Sequence, residues 1–75
     1  MKYKVGDKVK IKSTEWYNKY RNHLGNVECG VLSFTHDMSG LCGTVMAIVS
    51  AQDNCYKMAG CGFTFTDEMI KGKIA

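Results

Sequence analysis

Seventy-five residues, 45% hydrophobic and 23% charged, with a formal net charge of +3, make one domain near the lower size limit for folding without staples. That hydrophobic content argues against wholesale disorder, and so small a core has no room for a sizeable cofactor. The longest apolar run, Val45 to Val49, is far too short to cross a bilayer. Met1-Lys2-Tyr3-Lys4 carries no apolar leader, so the expected location is the cytoplasm, with the four cysteines reduced and buried.

The chain opens on an alternation. Tyr3, Val5, Val9 and Ile11 are apolar, while Lys2, Lys4, Lys8, Lys10 and Lys12 hold half of the ten basic residues. A period of two predicts a strand with one face on the core and one in water, interrupted at Gly6-Asp7 by a turn or bulge. The outward lysines Lys4, Lys8, Lys10 and Lys12 could hold backbone phosphates. They equally suit a solvated or edge strand.

From Ser13 the period changes. Trp16, Tyr20 and Leu24 recur every four residues, which predicts a short amphipathic helix over about 14–23. Ser13 or Thr14 would cap it, Glu15 would sit in its first turn and Gly25-Asn26 would end it. Trp16-Tyr17-Asn18-Lys19-Tyr20-Arg21 gathers three aromatics and two cations in six positions, the chemistry of interfaces and of single-strand platforms. Trp16 and Tyr20 form the apolar stripe. Tyr17 and Arg21 fall off it and are the preferred contact residues.

Val27 to Phe34 is expected to be a short strand or an extended arm. A strand at 44–49, apolar on both faces, reads as central. Ser50 to Asn54 is a turn, Cys55 to Met58 returns, Gly60-Cys61-Gly62 bends, Phe63 to Phe65 is a fourth strand and Lys71 to Ile74 a closing one. Phe34-Thr35-His36-Asp37-Met38 and Phe65-Thr66-Asp67-Glu68-Met69 share one form. Each predicts a single helical turn, near 35–38 and 66–70, with Thr as cap, acids in the first turn, and Phe and Met turned into the core.

Residues that carry chemistry are sparse. Cys29, Cys42, Cys55 and Cys61 contain no Cys-x2-4-Cys pair, so no metal site is expected. A thiol enzyme would need one of them beside His23 or His36. Cys61, between two glycines, is the most accessible candidate, but no local signature supports it. Asp67 and Glu68 are adjacent and suit a helix dipole better than acid–base pairing. Phosphate-binding glycine loops are absent. No catalysis and no cofactor are expected.

Val5-Gly6-Asp7-Lys8-Val9-Lys10-Ile11, Gly43-Thr44-Val45-x-x-Ile48 and Phe63-Thr64-Phe65-Thr66-Asp67-Glu68-Met69 together resemble a group of small SH3-like proteins of Firmicutes, other gut bacteria and their phages. Fragments also resemble KOW domains (Gly6-Asp7-x-Val9, Gly43-x-Val45), which bind RNA or proteins. Trp16 with Gly43-Thr44-Val45 is similar to Mind-bomb-type SH3-like domains, which bind peptides. The resemblance implies a mainly β fold: a five-stranded SH3-like barrel, one domain over 1–75, with a helical insertion at about 13–41 after the first strand. The expected function is a non-catalytic module for a protein partner, in one version a phage or mobile-element product acting on a host component. Nucleic-acid binding through the lysine face is the alternative. Five methionines and an exposed aromatic insertion suit a homodimer equally well.

Overall fold

Val9 and Ile11 turn wholly into the core, and Lys8 and Lys10 turn away from it, on strand β1 (Lys8–Ile11). The computed structural model that shows this describes residues 2–74. Just before β1, the Asp7 N–H donates to the Lys4 carbonyl at 3.0 Å. The Lys4 N–H donates to Asp7 Oδ2 at 3.1 Å. Gly6, at φ +95°, supplies the left-handed third position that a type II turn requires. The Lys4 N–H, and after it Lys73 with its Nζ 3.3 Å from Asp7 Oδ1, holds the Asp7 carboxyl below its usual range against the opposing effect of burial. The contribution of this turn is therefore present above the ordinary carboxylate range and fades as pH falls through the lowered value.

Helix α1 (Thr14–Tyr20) starts where expected, with the Trp16 N–H donating to Ser13 Oγ at 3.1 Å. It ends earlier. Arg21 is already extended (φ −67°, ψ 145°), and Asn22 takes over the backbone. Its Oδ1 accepts from Leu24 N–H at 3.0 Å and Asn26 N–H at 3.1 Å, a local alternative to helix that asparagine offers readily. The expected apolar stripe therefore holds only at Trp16. Tyr17 is buried, whereas Tyr20 and Leu24 are 56% and 69% exposed. The inward face centres on Trp16 and Tyr17 because Phe34 packs against both rings, at 5.3 Å and 5.9 Å between centroids.

The segment Val27 to Phe34 is a hairpin: β2 (Val27–Cys29) and β3 (Leu32–Phe34), antiparallel with Cys29 opposite Leu32. Its two-residue turn, Gly30-Val31, has Gly30 at φ +77° and Val31 in an ordinary conformation, the type II′ arrangement. Strands β4 (Val45–Gln52) and β5 (Cys55–Met58) meet at Asp53-Asn54, both at positive φ (55° and 63°), a type I′ turn. The Ser50–Gln52 portion of the expected turn thus belongs to β4. Strands β6 (Thr64–Thr66) and β7 (Ile70–Lys73) complete the fold.

Among the described residues, seven strands form two antiparallel sheets. One has five strands in the order β6-β5-β4-β1-β7, and the other is the β2-β3 hairpin, whose β3 lies against β6. The fold is therefore mainly β, with more strands than the five expected, because the 13–41 insertion contributes a hairpin of its own. β1 is flanked on both sides, so its lysines do not protect an edge. β4 is central, and apolar on both faces from Val45 to Val49 as expected, but its outer face is open, with Val45 and Val49 exposed.

The two Phe-Thr-x-x-Met echoes fold alike. Each begins a 3-10 helix, His36–Leu41 and Asp67–Met69, with Phe34, Met38, Phe65 and Met69 all buried. Neither Thr35 nor Thr66 caps its helix through the side chain, contrary to expectation. Methionines serve the core rather than a surface: Met38, Met58 and Met69 are buried and Met46 packs on the core. Met1 lies outside the described residues. Among the described residues, no helix is long and apolar enough to cross a membrane.

Gly25 is required twice, by its φ of +86° and because a Cβ there would sit 3.2 Å from both the His36 Cβ and the Tyr17 hydroxyl. Gly25→Ala should lower stability by more than about 1 kcal/mol. Gly40→Ala, where a Cβ meets open space, serves as the control. Equal urea midpoints for the two variants would contradict this account.

Candidate functional site: a groove between helix α1 and strand β2

Two side chains singled out by composition, Trp16 and Tyr20, line one groove of about 430 Å³. Helix α1 provides one wall. The turn 21–26 contributes Asn22 and Asn26, and all three residues of β2 form the floor and far side. Lys12, just beyond β1, and Glu68, from the second 3-10 helix, close the remaining side. The helix is held against the hairpin by Tyr17. Its hydroxyl donates to the Gly25 carbonyl at 2.6 Å and lies 3.5 Å from His36 Nδ1.

Tyr17 is thus a structural anchor and not the exposed contact residue its place off the stripe suggested. Tyr20, assigned to the stripe, is exposed at the groove, with Lys19 Nζ 5.3 Å from its ring centroid. Arg21 is exposed but does not line the groove. The four lysines do not form one surface. Lys8 and Lys10 share the outer sheet face, opposite Ala47 and Val45 of β4. Lys4 sits in the turn before β1, and half-buried Lys12 belongs to the groove. Lys57, on the outward side of β5 away from buried Tyr56 and Met58, joins Lys8 and Lys10 on that outer face.

The groove residues that composition did not single out are Glu28, Glu68, Asn22 and Asn26. Only the alternation Val27-Glu28-Cys29 hinted at an outward carboxylate. Glu68 reaches back over the hairpin turn, its Oε1 3.6 Å from where a Cβ of Gly30 would stand. It also borders a second cleft of about 220 Å³, together with Cys29, Asn54, Thr66 and Asp67. The Thr66 hydroxyl is buried with no hydrogen-bond partner among the described residues, an arrangement that costs about 1–3 kcal/mol unless a partner is supplied.

Asp67 does more than complement a helix dipole. Its Oδ1 accepts from the Tyr56 hydroxyl at 2.5 Å, and the same hydroxyl accepts from the Tyr3 N–H at 3.2 Å. This fastens the turn that carries Glu68 to the core. Burial, and then the bond to Asp67, push the Tyr56 hydroxyl above its ordinary range.

The cysteines are free thiols, but of the four expected in the core only Cys29 is buried, Cys42, Cys55 and Cys61 being half-buried; no three His, Cys, Asp or Glu side chains gather among the described residues to hold a metal. Burial, and secondarily the charge of Glu68, push the Cys29 thiol up. Burial also raises Cys42, partly offset by a hydrogen bond from Thr14. Cys61 is half-buried and its sulfur accepts from the Phe63 N–H at 3.4 Å.

Because the folded-state value of Tyr56 is raised, the stability it supports is complete below the ordinary tyrosine range and is lost as pH rises through the raised value. Tyr56→Phe should cost about 1–3 kcal/mol at neutral pH, as a hydrogen bond to a charged acceptor does. It should also flatten the alkaline limb of a stability–pH curve, and an unchanged limb would contradict the assignment. In a native alkylation time course at neutral pH, followed by mass spectrometry, Cys29 should be modified last and only through unfolding. Modification of Cys29 as early as Cys61 would overturn its placement.

No family model, no curated protein and no solved structure matches this chain.

Proposed function

We propose that the chain is a non-catalytic SH3-like binding module, of the bacterial or phage kind it resembles, that receives a cytoplasmic protein partner in the groove between α1 and β2. The observation that carries this reading is the meeting of Trp16 and Tyr20 in one groove with the unpaired side of β2. Buried aromatic anchors at a concave surface are where interfaces concentrate their binding energy. Tyr20 is free to become buried, since more than half of its surface faces solvent. Amides and carboxylates around the rings give a partner orientation as well as apolar contact.

A second reading has its own support. Lys8, Lys10 and Lys57 share the outer face of the five-stranded sheet, and β4 and β5 place no carboxylate among them. Such a face could hold nucleic-acid phosphates. The two readings use different residues and differ in their response to salt.

Panning a displayed random-peptide library against the folded chain should yield binders that perturb the fluorescence of Trp16, the single tryptophan. Tyr20→Ala should weaken them by about 2 kcal/mol with little change in stability, and Lys8→Glu with Lys10→Glu should leave them intact. Recovery of no peptide, together with single-stranded oligonucleotide binding that collapses with salt and with the lysine substitutions, would replace the first reading by the second.

A further inference from the structure

We infer that the groove takes an extended peptide as an added strand on the open edge of β2, with a lysine or arginine of that peptide held between the Trp16 and Tyr20 rings and the carboxylates of Glu28 and Glu68. This rests on the groove being the binding site and adds the conformation and the charge of what binds.

The hairpin sets the backbone geometry. In an antiparallel pair closed by a two-residue turn, the closing residues exchange both hydrogen bonds and the next pair exchanges none. Cys29 with Leu32 is the closing pair and Val27 with Phe34 the next bonded one, so the N–H and C=O of Glu28 face away from β3. On that side lies the groove. β3 cannot offer an equivalent edge, because it lies against β6. The upstream end of the β2 edge is closed by Asn22, whose N–H donates to the Asn26 carbonyl at 2.8 Å. A short row of main-chain groups around Glu28 is therefore available to a strand, the geometry of β-augmentation.

Charge selects the side chain. The chain as a whole carries +3, yet the groove and the neighbouring cleft hold three carboxylates, Glu28 and Glu68 at exposed positions and Asp67 bound to the Tyr56 hydroxyl, against two ammoniums, that of Lys12 in the lining and that of Lys19, whose Nζ lies 5.3 Å from the Tyr20 ring centroid. Among the described residues, neither Glu28 nor Glu68 forms an ion pair, the Lys73–Asp7 bridge being elsewhere; Glu28 Oε2 accepts from Ser33 Oγ at 2.9 Å, which leaves its charge uncompensated. Carboxylates beside two aromatic faces recognise a cation, through charge-assisted hydrogen bonds and cation–π attraction. A phosphate-bearing ligand meets repulsion there.

The peptides recovered by panning on the full chain supply the probe. They should carry Lys or Arg at one fixed position, and Glu at that position should weaken binding about tenfold. Glu28→Gln and Glu68→Gln, both at exposed positions, should each weaken it severalfold without lowering the unfolding midpoint. N-methylation of the peptide amide facing Glu28 should weaken binding more than tenfold, roughly the loss of one main-chain hydrogen bond with a clash added. Hydrogen exchange at the Glu28 amide should slow on binding. Peptides that quench Trp16 yet show no basic preference and no sensitivity to N-methylation would overturn the strand and its charge while leaving the groove as the binding site. Peptides that leave Trp16 and Tyr20→Ala without effect would remove the groove itself. Concentration-dependent dimers broken by Glu28→Lys would assign the β2 edge to a second copy of the chain instead.

Discussion

The packing of Phe34 against Trp16, edge-on, and against Tyr17, tilted, is the constraint on which the rest of the molecule depends. Phe34 stands at the end of β3, the strand that lies against β6, and the two rings it meets belong to α1. One buried side chain therefore joins the helix, the hairpin and the large sheet. Without it α1 is a seven-residue helix, too short to persist alone in water, and the hairpin is a two-stranded ribbon with no support of its own. Tyr17 completes the joint by tying its hydroxyl to the Gly25 carbonyl. The groove exists because these pieces are held apart at a fixed spacing rather than collapsed onto one another.

The opposite wall depends on a different anchor. Phe65 and Met69 are buried on either side of the turn that carries Asp67 and Glu68, and the Tyr56–Asp67 bond fixes that turn against the core. Glu68 is left exposed between the groove and its neighbouring cleft. The division of labour is clear: of two adjacent acids, one is engaged internally and one is presented. The same contrast holds on α1, where Tyr17 is internal and Tyr20 presented. Each wall thus pairs an internally anchored residue with one that faces the groove, Tyr17 with Tyr20 on the same helix and Asp67 with adjacent Glu68.

The distribution of charge gives the two faces different chemistry. Lysines collect on the outer sheet face, where β1 and β5 turn them away from the core, while carboxylates collect along β2 and the second 3-10 helix. A net charge of +3 averages over this asymmetry and conceals it. Fields within roughly a Debye length of about 8–10 Å are set by local groups and not by the total. The proposed preference for a basic strand in the groove and the alternative preference for phosphate on the sheet face are therefore compatible with one another electrostatically, although they name different functions.

Much of the fold was legible in the residues taken alone. Period-two alternation at Val9 and Ile11, the Ser13 cap, the return strand at Cys55 to Met58 and the paired Phe-x-x-x-Met turns each depend on interactions within a few residues, so local pattern carries them. The helix end is local too, since the Asn22 side chain takes the amides of Leu24 and Asn26, two and four residues on, but helix periodicity alone does not show it. The inward face of α1 and the groove depended on tertiary partners: Tyr17 rather than Tyr20 turned inward because Phe34, seventeen positions away, was there to meet it. Glu28 and Glu68 are forty residues apart and have no shared motif. Only the packing of the hairpin beside the last helical turn sets them along one groove, because which surface a side chain shares with another is decided by the path of the chain between them.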